Sequence, residues 1–283
     1  MKEYKISKEQ LQKYFDMGMS SRSIEKITGI NHDMISWYAK KYGITNRFSK
    51  VQYQEDFFDK IDTKEKAYTL GFLIADCTMT KDNKMCCSLG MGDKEVLYKF
   101  YQWFGARVVE RDTYKPESRT FPNATIKVGN NKIINSLHML FGGRLKEERR
   151  FPIIKKELEP FMLQGFFDAD GCITWGYRKD RNRLWQKVSF TSQYKLLIGA
   201  QNILSKYDIS TRIYPKKDES CYVLEVCSPD KVLKTLNVLY SNHNFVVLQR
   251  KYNKSEALRR ELGENGEGAN SNNPVPSLQS RKV

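Results

Sequence analysis

Histidine is scarce in this chain: three in 283 residues, His32, His138 and His243, far apart in sequence. The six cysteines, Cys77, Cys86, Cys87, Cys172, Cys221 and Cys227, form no CxxC pair. A zinc module needs such ligands at short spacings and is not supported; the thiols are expected to be reduced and mostly used in packing. No run of about 18 uncharged apolar residues is present. The opening MKEYKISKEQ has neither the apolar segment of a secretory signal nor the acid-poor composition of a transit peptide. The expectation is a soluble, cytoplasmic protein with no membrane partner. Acids are also in short supply, 33 Asp and Glu against 48 Lys and Arg, a net charge of +15. With 40% hydrophobic and 12% aromatic residues the chain can bury a core, so a disordered polycation is excluded for most of it. A positive field on a folded domain points to a polyanion, nucleic acid foremost.

The basic excess is five over residues 1–50, three over 51–150, seven over 151–262 and none over 263–283. The last stretch, rich in Gly, Asn, Ser and Pro, is expected to be a disordered tail. Residues 1–48 read as three short helices. Ser7 and Gln10 make a capping box for the first, with Leu11, Tyr14 and Phe15 on its apolar side. Ser20 or Ser21 can cap a second helix bearing Ile24 and Ile27, which ends at Gly29. In the third, Met34 or Ile35, Tyr38 and Tyr42 face inward, while Asn31, His32, Asp33, Ser36, Trp37 and Lys40 face outward. Helix, glycine turn and polar-faced helix make a helix-turn-helix pattern, and the run SSRSIEKITGINHDMISWYAKKYGI resembles the DNA-binding modules of resolvases and transposases. A three-helix partner-binding module is the alternative. Residues 49–61 read as a linker.

The body beyond is duplicated. Gly71-Phe72-Leu73-Ile74-Ala75-Asp76-Cys77-Thr78-Met79-Thr80 aligns with Gly165-Phe166-Phe167-Asp168-Ala169-Asp170-Gly171-Cys172-Ile173-Thr174 at a constant offset of 94. Strand-like stretches near 78–81, 86–91, 106–113 and 119–128 follow the first copy. Helices with Val96, Leu97, Phe100 and Phe104, and with Ile133, Ile134, Leu137 and Phe141, accompany them. The second copy is followed by strands near 172–178, 185–192, 209–216 and 220–227, and by helices with Leu196, Ala200, Ile203 and Leu204, and with Val232, Leu233 and Leu236. Each half reads αββαββα, which predicts an α+β fold with two four-stranded antiparallel sheets.

Each repeat copy closes a helix, opened in one case by Asp62 with Glu65 and in the other by Pro160. Gly71 and Ala75, like Gly165 and Ala169, share a face, so the two helices can pack backbone against backbone. Asp76 and Asp170 then stand together, each at the negative end of a helix dipole, an arrangement that asks for a cation. Mg²⁺ takes oxygen ligands and leaves room for phosphate oxygens, so paired carboxylates under a basic surface suit a nuclease centre.

The stretch Leu163-Gln164-Gly165-Phe166-Phe167-Asp168-Ala169-Asp170-Gly171 resembles the LAGLIDADG motif in six of nine letters, and Thr69 to Cys77 is a looser copy. The resemblance implies a monomeric double-motif LAGLIDADG homing endonuclease, with halves at 62–158 and 159–262 related by a pseudo-twofold axis. It implies that Asp76 and Asp170 bind the catalytic Mg²⁺ and that saddle-shaped sheets lie in the major groove of double-stranded DNA. Asp168 falls at the other motif acid, replaced by Ile74 in the first copy, and is expected to be structural or capping. Cys77 stands where the family prefers glycine. Val247 to Tyr252 is similar to a basic run near the family's second-domain end, where a lysine often approaches the scissile phosphate. Lys251 is that candidate, and Lys146 its counterpart.

Alternation along the strands allows the saddle, with Val188 and Phe190 between Lys187, Ser189 and Thr191, Ile126 and Val128 beside Lys127, and Ile213 beside Arg212, Tyr214 and Lys216. Arg178, Lys179, Arg181 and Arg183 form a basic loop suited to phosphate or guanine contact. The rival is a non-cleaving DNA-binding regulator, or a maturase gripping intron RNA. An intein is not expected, because the chain opens with Met1 and ends in Arg281-Lys282-Val283.

Overall fold

The computed structural model describes residues 6–16, 21–44, 53–111, 121–178, 180, 183–217, 220–240 and 245–264. Ten α-helices and eight strands are formed among them. Three helices, α1 (Lys8–Asp16), α2 (Ser21–Thr28) and α3 (His32–Lys41), surround a small core of Ile6, Leu11, Phe15, Ile24, Ile30, Ile35, Tyr38, Ala39 and Ile44. The capping box forms: the Gln10 amide N–H donates to Ser7 Oγ at 3.1 Å, and Ser7 N–H to Gln10 Oε1 at 3.4 Å. Ile35 rather than Met34 enters the core. In α2, Ile24 is buried while Ile27 is 59% exposed. Gly29 adopts φ +70°, the left-handed conformation that lets the chain turn between α2 and α3.

The first half runs α4 (Lys64–Asp76), β1 (Thr78–Met79), β2 (Met85–Gly90), α5 (Lys94–Phe104), β3 (Val108–Arg111), β4 (Asn123–Val128) and α6 (Asn131–Phe141). The second runs α7 (Glu159–Asp170), β5 (Gly171–Arg178), β6 (Arg183–Ser192), α8 (Tyr194–Ser205), β7 (Arg212–Pro215), β8 (Tyr222–Val226) and α9 (Pro229–Tyr240). The sheets are ordered β1-β2-β4-β3 and β5-β6-β8-β7 and are antiparallel throughout, which is the predicted α+β architecture in both halves. A further helix, α10 (Gln249–Glu264), follows α9. Its register was not legible beyond a basic run. One continuous core joins the halves, with Phe72, Phe100, Phe166, Phe167 and Phe190 among its fully buried rings. No helix among the described residues is long and apolar enough to cross a membrane.

Two local expectations change. Residues 53–61 do not hang free as a linker. Phe57 and Phe58 are buried and pack on Phe104 at 5.3 and 5.4 Å, and Asp59 pairs with Lys132 at 3.0 Å, because this short stretch carries apolar surface that α5 can cover. The cap of α4 is Thr63, whose side chain accepts from Lys66 N–H, while Asp62 pairs with Lys66 Nζ at 2.9 Å. The expected tail falls almost wholly outside the described residues.

Candidate functional site

Helices α4 and α7 meet along their small residues. A Cβ placed on Gly71 would lie 1.9 Å from the Met162 carbonyl oxygen, and one on Gly165 would lie 2.0 Å from that of Tyr68. Reciprocal backbone contact of this kind leaves no room for any side chain. It carries Asp76 and Asp170, the last residues of the two helices, to the same end of the helix pair. Both helices stop alike: Cys77 and Gly171 turn to extended backbone, and their N–H groups donate to the carbonyls of Leu73 and Phe167. Glycine is not required for that conformation, so Cys77 ends α4 without strain. At Gly171 a Cβ would strike the Phe167 ring at 2.1 Å, whereas the corresponding residue in the first half is Leu73.

Burial pushes both carboxyls up. Asp170 reaches about 6, with the charge of Asp76 adding to the shift and that of Lys146 opposing it. Asp76 is raised in the same sense, opposed by Lys146, by the Cys87 thiol and by Lys251. The Ser192 hydroxyl donates to Asp170 at 3.3 Å, and the Cys87 thiol lies 3.8 Å from Asp76. Among the described residues no three His, Cys, Asp or Glu side chains cluster as a complete metal cage. Two half-buried carboxylates that repel each other are a partial, all-oxygen donor set. That fits a hard divalent ion whose remaining ligands are water and phosphate.

The cations divide into two kinds. Lys251 is 4% exposed, and its Nζ donates to the carbonyls of Phe167 at 2.7 Å, Asp168 at 2.8 Å and Ala169 at 3.4 Å, with burial lowering its pKa to about 8. It closes the last turn of α7, where carbonyls have no partner within the helix. Its counterpart in the first half is not Lys146 but Arg149, 1% exposed, whose guanidinium donates to Ile74 O at 2.9 Å and Arg144 O at 3.1 Å. Ile74 and Asp168 are equivalent in the repeat, so each motif helix is capped at the same carbonyl by a buried cation. Lys146 is exposed and bears on both aspartates. Arg149 escaped the sequence reading because a buried arginine in the run LKEERRFP looks like one more surface charge.

Asp168 is buried and structural, as expected. Its carboxylate accepts from Tyr68 OH and Tyr240 OH, both at 2.8 Å, and from Leu248 N–H at 3.1 Å. Those bonds tie α4, α9 and the start of α10 to α7, and Lys251 follows Leu248 by three residues.

On the helix-free face of the second sheet, Lys187 donates to Glu225 Oε1 at 2.6 Å, and Arg212 stands across from Glu225 in the register. Tyr214 and Lys216 are exposed on the same side, and burial together with Glu225 raises the Tyr214 phenol. Thr191 is half-buried, and Ser189 lies buried between its partners Cys172 and Glu225. Arg178 and Arg183 pair at the β5–β6 end and, with Trp185 and Lys187, line a groove of about 430 Å³. Trp185 was not anticipated. Lys179 and Arg181 lie outside the described residues. In the first sheet Lys127 is exposed opposite Cys86. In α3, Asn31 is the N-cap and accepts from Asp33 N–H, His32 Nδ1 lies 3.0 Å from Glu25, and Ser36 donates to His32 O. Trp37 and Lys40 are exposed, with Lys41 Nζ 4.8 Å from the Trp37 ring.

No curated protein sequence matches the chain. Residues 159–239 match the family model described as "LAGLIDADG-like domain". Among solved structures, the LAGLIDADG homing endonuclease I-LtrWI bound to target DNA is similar over 76% of this chain and 94% of its own, at 11% identity and TM-score 0.51. The LAGLIDADG meganuclease I-CpaMI bound to uncleaved DNA is similar over 72% and 94%, at 12% identity and TM-score 0.51. The meganuclease I-SmaMI bound to uncleaveable DNA is similar over 73% and 91%, at 10% identity and TM-score 0.52. The second half of this chain therefore contains a LAGLIDADG-like domain, and the two halves together have the fold of the LAGLIDADG homing endonucleases.

Proposed function

We propose that the protein is a site-specific double-strand DNA endonuclease that works as a monomer and requires a divalent ion, Mg²⁺ in the cell. The observation that carries this is the delivery of Asp76 and Asp170 to one end of a glycine-locked helix pair, within a body of strongly positive charge. Their carboxylates would hold the ion, which when bound lowers the pKa of its water and draws charge from the scissile phosphate. Asp76 serves one half and Asp170 the other, so that both strands are addressed by one chain. Lys146, exposed and close enough to bias both carboxylates, offers its ammonium to phosphate. Lys251 and Arg149 act at one remove: by occupying the last carbonyls of α7 and α4 they fix the backbone from which each aspartate projects, and they offset the negative helix ends.

The helix-free faces of the two sheets would read the major groove, and α1 to α3 would grip flanking duplex through Trp37 and Lys40. The test is selection from a randomised duplex library in EDTA, followed by Mg²⁺ addition to the retained duplexes. Enrichment of one long sequence that is then cut on both strands supports the reading. Enrichment without any cutting makes the protein a binder, and no enrichment of duplex DNA removes the reading altogether.

A further inference from the structure

The two sheets carry opposite charge at one equivalent point. Thr78 and Cys172 each follow the terminal aspartate of a motif helix by two residues. Thr78 pairs with Cys86, which pairs with Lys127 on its other side. Cys172 pairs with Ser189, which pairs with Glu225. Lys127 and Glu225 therefore occupy the same node of the two sheets, three strands in from the same starting residue. The eight strands hold two acids among the described residues. Glu110 is bonded on the helix side to Lys94 and Tyr98, and Glu225 is on the open face. Beside Glu225 the open face is basic: Lys187 and the Tyr214 hydroxyl bond its carboxylate and Arg212 stands across from it, with Arg178 and Arg183 farther along at the β5–β6 end.

A carboxylate amid cations on a polyanion-binding face weakens phosphate contact, so phosphate is not what it is placed to meet. A carboxylate can only accept, and the major groove offers it two donors, cytosine N4–H and adenine N6–H. Adenine sets its N7 acceptor beside N6, which repels a carboxylate, whereas cytosine has no acceptor beside N4 on that edge. Lys187, 2.6 Å from Glu225 Oε1, supplies the donor that the guanine O6 and N7 of the same pair require. The ion pair is thus complementary to the edge of one C·G pair in one orientation.

We infer that Glu225, with Lys187, specifies a cytosine in the second half-site, and that Lys127 specifies a guanine at the pseudo-symmetric position of the first. The target is non-palindromic at that pair of positions because the protein is antisymmetric there. This deepens the proposed function and rests on its DNA-binding part alone.

The experiment is library selection in EDTA with the wild type, Glu225→Gln and Glu225→Lys, scored as base preference at each position. The wild type should prefer cytosine roughly 5- to 100-fold at one position and guanine at its mirror position. Glu225→Gln, which keeps the shape, should move the first preference toward adenine. Glu225→Lys should move it toward guanine and make the two mirror positions alike, with the remaining profile unchanged. A wild-type profile without the cytosine and guanine at mirror positions overturns the inference, as does an unchanged profile in both variants. A wild type that enriches no sequence instead overturns the DNA-binding reading on which it rests.

Discussion

Lys251 Nζ donates to the carbonyl oxygen of Asp168 at 2.8 Å, and Arg149 reaches the equivalent carbonyl, that of Ile74, at 2.9 Å in the other half. A buried cation on each motif helix is thus part of how the aspartates are held. Lys251→Met removes a buried donor from three carbonyls at the end of α7, of which that of Phe167 keeps the Gly171 N–H. The expected loss is about 2–4 kcal/mol of stability, measured by urea denaturation. Cleavage should fall further than stability explains in conditions where the variant remains folded. Lys146→Met should leave stability within about 0.5 kcal/mol and lower cleavage alone, as befits an exposed side chain.

The glycine contact is sharper. Gly71→Ala or Gly165→Ala drives a methyl group to about 2 Å from the facing backbone, so α4 and α7 must separate. Overpacking against backbone costs roughly 3 kcal/mol or more, and thermal unfolding should show it. Gly92→Ala, where nothing lies within 4 Å, is the control and should stay near the wild type.

Asp170 titrates near 6 in the folded protein against an ordinary 3.8, because burial disfavours its charge. The native state therefore holds a proton that the unfolded state has lost between about pH 4 and 6, and the ionised carboxylate destabilises the metal-free fold above that window. Asp170→Asn should raise the melting temperature in EDTA at pH 7.5, by an amount corresponding to about 3 kcal/mol at most, and the difference should vanish near pH 4. Adding a divalent ion should stabilise the wild type more than the variant.

Removing residues 1–48 should weaken DNA binding and reduce its salt dependence while leaving the cleavage positions unchanged. With six or more phosphates neutralised, affinity of the intact protein should fall by about 10³ or more between 50 and 200 mM salt. Titrations at several salt concentrations compare the two slopes, and equal affinities and slopes would count against a DNA-gripping role for α1 to α3.

Much of this was legible in the chain. The 94-residue offset disclosed the duplication, and alternation with helical periodicity disclosed αββαββα, because long amphipathic elements report which face they bury. Gly71 and Gly165 announced a close helix contact. Arg149 and Glu225 were not legible, and for one reason: charge in a sequence carries no sign of burial or register. Arg149 becomes a cap only once α4 ends above it, and Glu225 gains its meaning from Ser189, more than 30 positions away in sequence and adjacent only across the β6–β8 ladder. Within the expected linker at 49–61, the packing of Phe57 and Phe58 was not legible because the charges around that pair outweigh it in the sequence.

The central claim, that Asp76 and Asp170 are the residues through which this protein cuts DNA, is tested most directly with Asp76→Asn, Asp170→Asn and the double variant on a selected duplex labelled on each strand. All three variants should bind the duplex, the double variant should cut neither strand in Mg²⁺, and each single variant should lose at least 10²-fold, ~3 kcal/mol, in double-strand cleavage. Wild-type cleavage of both strands by the double variant would contradict the claim.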